Sequence, residues 1–176
     1  MFGKKGNVIL ITIVFVLGIG GVLFADRESG TQMTMQDLPE GGIHWHPTLT
    51  IVINEEPYEI PANVGITIGK NIDSDVSGMQ MSPIHTHDFT GVLHMEQPYP
   101  RADTLTLGYF FKVWDVPFSS ECVLEWCNDA THAVKMYVNG ERGYSFEKYA
   151  MHDGDVIEIA YEESLGERTA SNEALT

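Results

Sequence analysis

The pattern of apolar and polar positions marks six stretches of this chain. Asn7 to Ala25 is almost wholly apolar and carries no charge. A helix over these 19 residues spans roughly 28 Å at ~1.5 Å per residue, close to the thickness of a bilayer core. From Thr48 to Ile53, Leu49, Ile51 and Ile53 alternate with Thr48, Thr50 and Val52, which predicts a strand with its odd positions facing the core. A second strand is expected over Tyr58 to Ile60, after a turn at Asn54-Glu55-Glu56-Pro57. Leu107, Phe110, Phe111 and Trp114 recur with helical spacing, so a short helix is expected up to Trp114, capped by Thr104 or Thr106, with those four as its buried stripe. Ala133 to Val138 reads as a strand turned by Asn139-Gly140, a strong hairpin signal. Asp155 to Tyr161 reads as a last strand, with Ile157, Ile159 and Tyr161 on one face and Val156 and Glu158 on the other.

These elements imply an α+β class and a simple organisation. Lys4 and Lys5 precede the apolar run, and Asp26, Arg27 and Glu28 follow it. The positive-inside rule then places the N-terminus in the cytoplasm and the rest outside, as a single-pass protein of the cell membrane. A cleaved signal peptide is the competing reading, and Leu23-Phe24-Ala25 matches a small-x-small cleavage site poorly. The expected divisions are a stub and transmembrane anchor over 1–25, a polar linker over 26–42, an exterior domain over 43–162 and a disordered tail over 163–176.

Charge narrows the partners. All 25 acidic residues and 8 of the 10 basic ones follow Ala25, a balance of −17 outside the membrane. That argues against nucleic acid and anionic lipid and suits cations or basic partners; solubility alone explains it equally well. Cys122 and Cys127 have four residues between them. A disulfide is the first expectation for an exterior domain, and a pair of metal thiolates is the alternative.

The candidate chemistry lies in the histidines. His44 and His46 form one H-x-H pair, His85 and His87 a second, and His94 follows. The stretch from Ile84 to Glu96 reads as a tight hairpin, because Asp88 to Gly91 has turn composition between apolar and β-branched flanks. With a two-residue loop at Phe89-Thr90, His85 faces His94 and His87 faces Val92. His85, His87, His94 and Glu96 then share one side, at ~5 to 7 Å spacing that suits three imidazoles on one ion. A three-residue loop would break that cluster. If the first strand extends back far enough, His44 and His46 lie on its even face, away from Leu49, Ile51 and Ile53 and free to join or neighbour the central cluster, where His44, His46 or a water is expected to complete the shell of an ion held by His85, His87 and His94. Imidazoles suit zinc, copper, iron and nickel. Met79, Met81 and Met95 lie nearby in sequence and would favour copper(I). Asp88 and Glu96 are expected to ligate or to orient a histidine. His132 and His152 lack such company and read as ordinary surface residues.

Two resemblances bear on this. The order strand, turn, strand, helix, strand, followed by Asp153-Gly154-Asp155-Val156-Ile157-Glu158-Ile159, resembles the β-grasp fold of the small ubiquitin-like sulfur-carrier proteins. Val134-Lys135-Met136-Tyr137-Val138-Asn139-Gly140-Glu141 fits the same pattern. The resemblance covers about residues 48 to 60 and 104 to 161. It implies a β-grasp-like domain in which the segment from about Pro61 to Asp103, with its His-rich hairpin, is an insertion. Sulfur carriers end in a Gly-Gly tail that is activated as an adenylate, whereas this sequence reads Glu173-Ala174-Leu175-Thr176 there; the resemblance is taken for fold and not for carrier activity. The wider pattern is H-x-H-P, then I-H-T-H-D…G-V-L-H-M-E, then T-L-G-x-F-F-x-x-W. It resembles a group of membrane-anchored prokaryotic exterior proteins, which implies the anchor and the exterior domain and carries no mechanism.

Three function classes follow. The first is a non-catalytic module that binds copper or zinc. The second is a small metalloenzyme: α-type carbonic anhydrases and copper-zinc superoxide dismutases also use H-x-H, but their remaining motifs are missing here. The third is an accessory subunit of an integral-membrane complex, for which a copper-dependent oxidase is one conceivable host. No Ser-His-Asp arrangement, P-loop or dinucleotide fingerprint is visible.

Overall fold

The computed structural model describes residues 38–164. The expected anchor, most of the linker and nearly all of the tail lie outside them. Among the described residues, no helix is long and apolar enough to cross a membrane.

A mixed sheet of five strands carries the core. β1 (Ile43–Trp45) belongs elsewhere; β2 (Thr48–Ile53) and β3 (Glu56–Tyr58) begin this sheet as a hairpin. Its turn is the two residues Asn54 and Glu55, with φ of 52° and 70°, the left-handed pair that matches strand twist in tight hairpins. The second strand therefore starts and ends earlier than Tyr58 to Ile60, and Pro57 sits within it opposite Val52. Proline is tolerated there because β3 is an edge strand.

The last strand, β10 (Val156–Glu163), lies parallel to β2 and antiparallel to β8 (His132–Val138). Asn139-Gly140 turns β8 into β9 (Glu141–Gly143), as the sequence predicts. The sheet order is β3-β2-β10-β8-β9. Alternation does the rest: Ile51, Ile159 and Met136 stand in one row across three strands and are fully buried. On the opposite face Thr50 and Glu158 are exposed, and Lys135 pairs with Glu162 at 2.8 Å.

α2 (Leu107–Trp114) packs into the same core. Thr106 caps it, its hydroxyl accepting the Tyr109 N–H at 3.2 Å. Leu107, Phe110, Phe111 and Trp114 are buried as expected, but so are Tyr109 and Val113. The wider burial has a cause in the long segment before the helix, which holds the single-turn α1 (Ser74–Ser77). That segment covers the second flank of α2. Lys70 N–H donates to Val113 O at 2.7 Å, and the Tyr109 hydroxyl donates to Asp73 Oδ2 at 2.7 Å. The approach is close enough to require Gly69, where a Cβ would lie 2.3 Å from Val113 O at a φ of +72°.

The second sheet has three antiparallel strands in the order β1-β5-β4, with β4 at Ile84–His85 and β5 at His94–Gln97. Two expectations fail here. First, β1 is not an extension of β2. The chain breaks at His46-Pro47, where proline lacks the N–H a continuous strand needs, and β1 pairs with β5 instead. Second, Ile84 to Glu96 is not a two-residue hairpin. Residues 86–93 leave β4 and β5: Thr86 bonds to Asn63 and Val64, and residues 91–93 dock along β2, where Leu49 N–H donates to Gly91 O at 2.8 Å, Leu93 N–H donates to Pro47 O at 2.9 Å, and Val92 bridges Thr48. His87 therefore does not pair with Val92. The docking depends on Gly91, whose φ is +78° and whose Cβ would lie 2.2 Å from Leu49 O.

A separate ribbon of β6 (Cys122–Val123) and β7 (Trp126–Cys127) places the two cysteines opposite each other, joined as a disulfide with S–S 2.08 Å. The metal-thiolate alternative has no free thiols to use among the described residues.

Candidate metal centre

The three-stranded sheet organises the histidines by register. His85 on β4 stands opposite His94 on β5, and Glu96, two residues along β5 on the same face, stands opposite His44 on β1. The His85–His94 pairing that was counted from a two-residue loop is present although that loop is not. Strand pairing begins again at His94 whatever path residues 86–93 take.

The five rings form a connected group. Centroids lie 4.6 Å apart for His44 and His46, 4.8 Å for His46 and His94, 4.5 Å for His94 and His87, and 4.8 Å for His87 and His85. His85 also stacks on His94 at 5.7 Å. Nitrogens of His44, His46 and His94 all lie within 4.8 Å of one another, an arrangement compatible with metal binding.

His85 is the deepest member, with no solvent exposure. Its Nδ1 lies 3.1 Å from Ser82 O, and its Nε2 lies 3.2 Å from His87 Nε2. A carbonyl only accepts, so Nδ1 carries the hydrogen and Nε2 keeps its lone pair, directed at the neighbouring ring. A metal-binding histidine is held in this way, one nitrogen donating to an oxygen and the other free to ligate. His44 has a matching support: its Nε2 lies 2.9 Å from Glu96 Oε1. Two nitrogens on one tetrahedral zinc, each ~2.05 Å from it, stand about 3.3 Å apart. The 3.2 Å between the His85 and His87 nitrogens is close to that separation.

Electrostatics favour the neutral form of His85 and His94. Burial holds His85 below the ordinary histidine value, and the Ser82 carbonyl only partly opposes it. Burial also lowers His94, helped by the neighbouring His87 and His46 rings. A neutral imidazole is the form that ligates.

The remaining candidates separate. Asp88 serves its own turn: its Oδ1 accepts from the Thr90 N–H at 2.9 Å and from the Thr90 hydroxyl, and these bonds hold its carboxyl below the usual range. Met95 lies on the other face of β5 from His94, fully buried opposite Ile84 and Trp45, so its contribution to the copper(I) argument falls away. His132 stacks on Tyr161 at 5.3 Å, half-buried rather than on the open surface. His152 is exposed and lies beside Trp45, whose neighbour His44 projects from the other face of β1.

Two supporting groups escaped sequence reasoning. The Ser82 carbonyl that orients His85 is a backbone atom and leaves no mark on residue identity. Asp153 accepts the His46 N–H at 2.8 Å and so fixes the end of β1. Its signal was the Asp153-Gly154-Asp155 motif, read for fold alone. Asp155 in the same motif accepts from Tyr149 Oη, Asn139 Nδ2 and His152 N, tying the closing turn together. Compared with known proteins, the chain matches no protein-family model, no curated protein and no solved structure.

Proposed function

We propose that this protein is a membrane-anchored, extracytoplasmic module that binds a transition metal, copper or zinc, without catalysing a reaction. The exterior unit is read as β-grasp-like: a hairpin, a helix across the sheet, and a closing strand parallel to the first, with the His-rich sheet supplied by an insertion and by the strand before the hairpin. The apolar run at 7–25 supports the anchor, and the exterior charge suits a cation ligand. His85, His87 and His94 are the central ligands, with His44 and His46 beside them and Glu96 orienting His44.

One observation carries the reading. Buried His85 is anchored through Nδ1 on Ser82 O, with its lone pair on Nε2 3.2 Å from a second imidazole nitrogen. His85 is buried and fixed while His87 is exposed, so the pair offers one preset nitrogen and one open to an incoming ion. The test is direct metal titration of the full-length protein in detergent after chelator treatment. Binding at or above one equivalent is expected, with loss of affinity in the His85→Ala/His87→Ala/His94→Ala variant. A triple variant that binds copper and zinc as tightly as the parent overturns the reading. If that variant does not fold, His44→Gln/His46→Gln/His87→Ala, changed only at exposed and half-exposed rings, decides in its place.

A further inference from the structure

We infer that the histidine cluster is not one site but two, and holds two transition-metal ions on either side of His94; this rests on the metal-binding reading above. The sheet order β1-β5-β4 puts His44 and His85 on the two strands that flank β5. The ring contacts keep the flanks apart: His46 touches His94 from the β1 side, His87 and His85 touch it from the β4 side, and the three residues whose nitrogens come within 4.8 Å of one another are His44, His46 and His94. One tetrahedral ion also takes four ligands, fewer than five imidazoles.

Each flank has a compact group of its own. On the β4 side, His85 and His87 bring their Nε2 atoms to 3.2 Å. On the β1 side, His44, His46 and His94 bring nitrogens within 4.8 Å of one another, so a small rotation of half-exposed and exposed rings closes a shell. His94 touches both groups, 4.5 Å from His87 and 4.8 Å from His46 between centroids. An imidazole has two ring nitrogens and can offer one to each ion. When the second ion binds, its bond to nitrogen replaces the remaining N–H, and the proton passes to solvent. Glu96 beside His44, and Asp88 close to His87 and His94, bring negative charge to the row, which offsets repulsion between the ions. The two places differ in access. His85 is fully buried and the His44 side chain is 65% exposed. The outer place is built to take up an ion and the inner one to keep it.

Cobalt(II) titration of the full-length protein in detergent, read by visible absorption and by metal analysis after gel filtration, tests this. The expected result is two equivalents per chain in the parent. His87→Ala, a change at an exposed residue, should keep one, and His44→Gln/His46→Gln should keep one. His132→Ala/His152→Ala should keep both, which separates the cluster from adventitious surface binding. A single equivalent in the parent, or loss of all binding in both the His87 and the His44/His46 variants, overturns the two-ion inference and leaves the metal-binding reading standing. No binding in the parent overturns both.

Discussion

In the five-stranded sheet, Ile51, Ile159 and Met136 stand side by side across β2, β10 and β8, and no solvent reaches any of them. In the three-stranded sheet the corresponding rows are His44 with Glu96, and His94 with His85. The first region closes on apolar area alone, row after row, with α2 laid into the same cluster. The second has strands of only two to four residues and spends one face on polar rings. The difference shows where ligand atoms are on offer. The larger sheet buries apolar rows, while the smaller one gathers five imidazoles of which His85 alone is fully withdrawn from solvent, and that is where we place the proposed metal site.

The largest expected effect is on the apolar region. Phe111 is 1% exposed and stacks on Phe118 at 4.2 Å between centroids. Phe111→Ala should destabilise the protein by about 3–5 kcal/mol, the cost of a large aromatic removed from a core. Urea unfolding followed by tryptophan fluorescence measures it. A loss under about 1 kcal/mol would dissolve the contrast between the two regions.

Metal addresses the other region. A ligand bound to the folded state at a hundred times its Kd stabilises by about 2.7 kcal/mol. Copper or zinc should therefore raise the unfolding temperature of the parent by several degrees, and should do much less for His44→Gln/His46→Gln/His87→Ala, which removes rings from both ends of the cluster. An equal rise in both would mean that the ion binds somewhere other than the histidine sheet.

The joint between the regions is Gly91. Its φ of +78° and the 2.2 Å from a built Cβ to Leu49 O leave no room for a side chain. Gly91→Ala should cost about 1–3 kcal/mol through backbone strain, and should also weaken metal binding by displacing the segment between His87 and His94. If the variant matched the parent in both measurements, the docking of residues 91–93 on β2 would not matter to the site.

Local patterns made the apolar region legible. Alternation at Leu49-Ile51-Ile53 and Ile157-Ile159-Tyr161, helical spacing at Leu107-Phe110-Phe111-Trp114 and the Asn139-Gly140 turn each depend on residues close together in sequence, and each names its element. The burial of Tyr109 and Val113 was not legible, because it comes from a segment more than thirty residues away that reads only as loop. The histidine region was half legible. The pairing of His85 with His94 was counted correctly from a wrong turn. That His44 and His46 could join that group was expected from the even face of an extended β2; the route is another, since β1 leaves β2 at Pro47 to pair with β5. Nothing in residues 43–47 names that partner.

The smallest expected effect is the pH dependence of the metal-free protein, and its sign follows from the same comparison. His85 and His94 both titrate below the ordinary 6.5 in the folded chain, chiefly because burial disfavours their charged forms. Above 6.5 the rings are neutral whether the chain is folded or not, and they contribute no slope. As pH falls through 6.5, the unfolded chain takes up protons that the folded one refuses, so the unfolded state gains and stability declines until the folded values are reached. The lowered carboxylates Asp73, Asp88 and Asp129 act in a different window, below 3.8, so the histidine slope stands apart from theirs. Thermal unfolding between pH 7.5 and 5 should show a falling midpoint, with a shallower fall in His94→Gln. In the metal-loaded protein the fall should be steeper over the same range, because protons compete with the ion for the same nitrogens. A midpoint that stays level from pH 7.5 to 5 in both forms would mean that the histidine sheet is as indifferent to charge as the apolar one beside it.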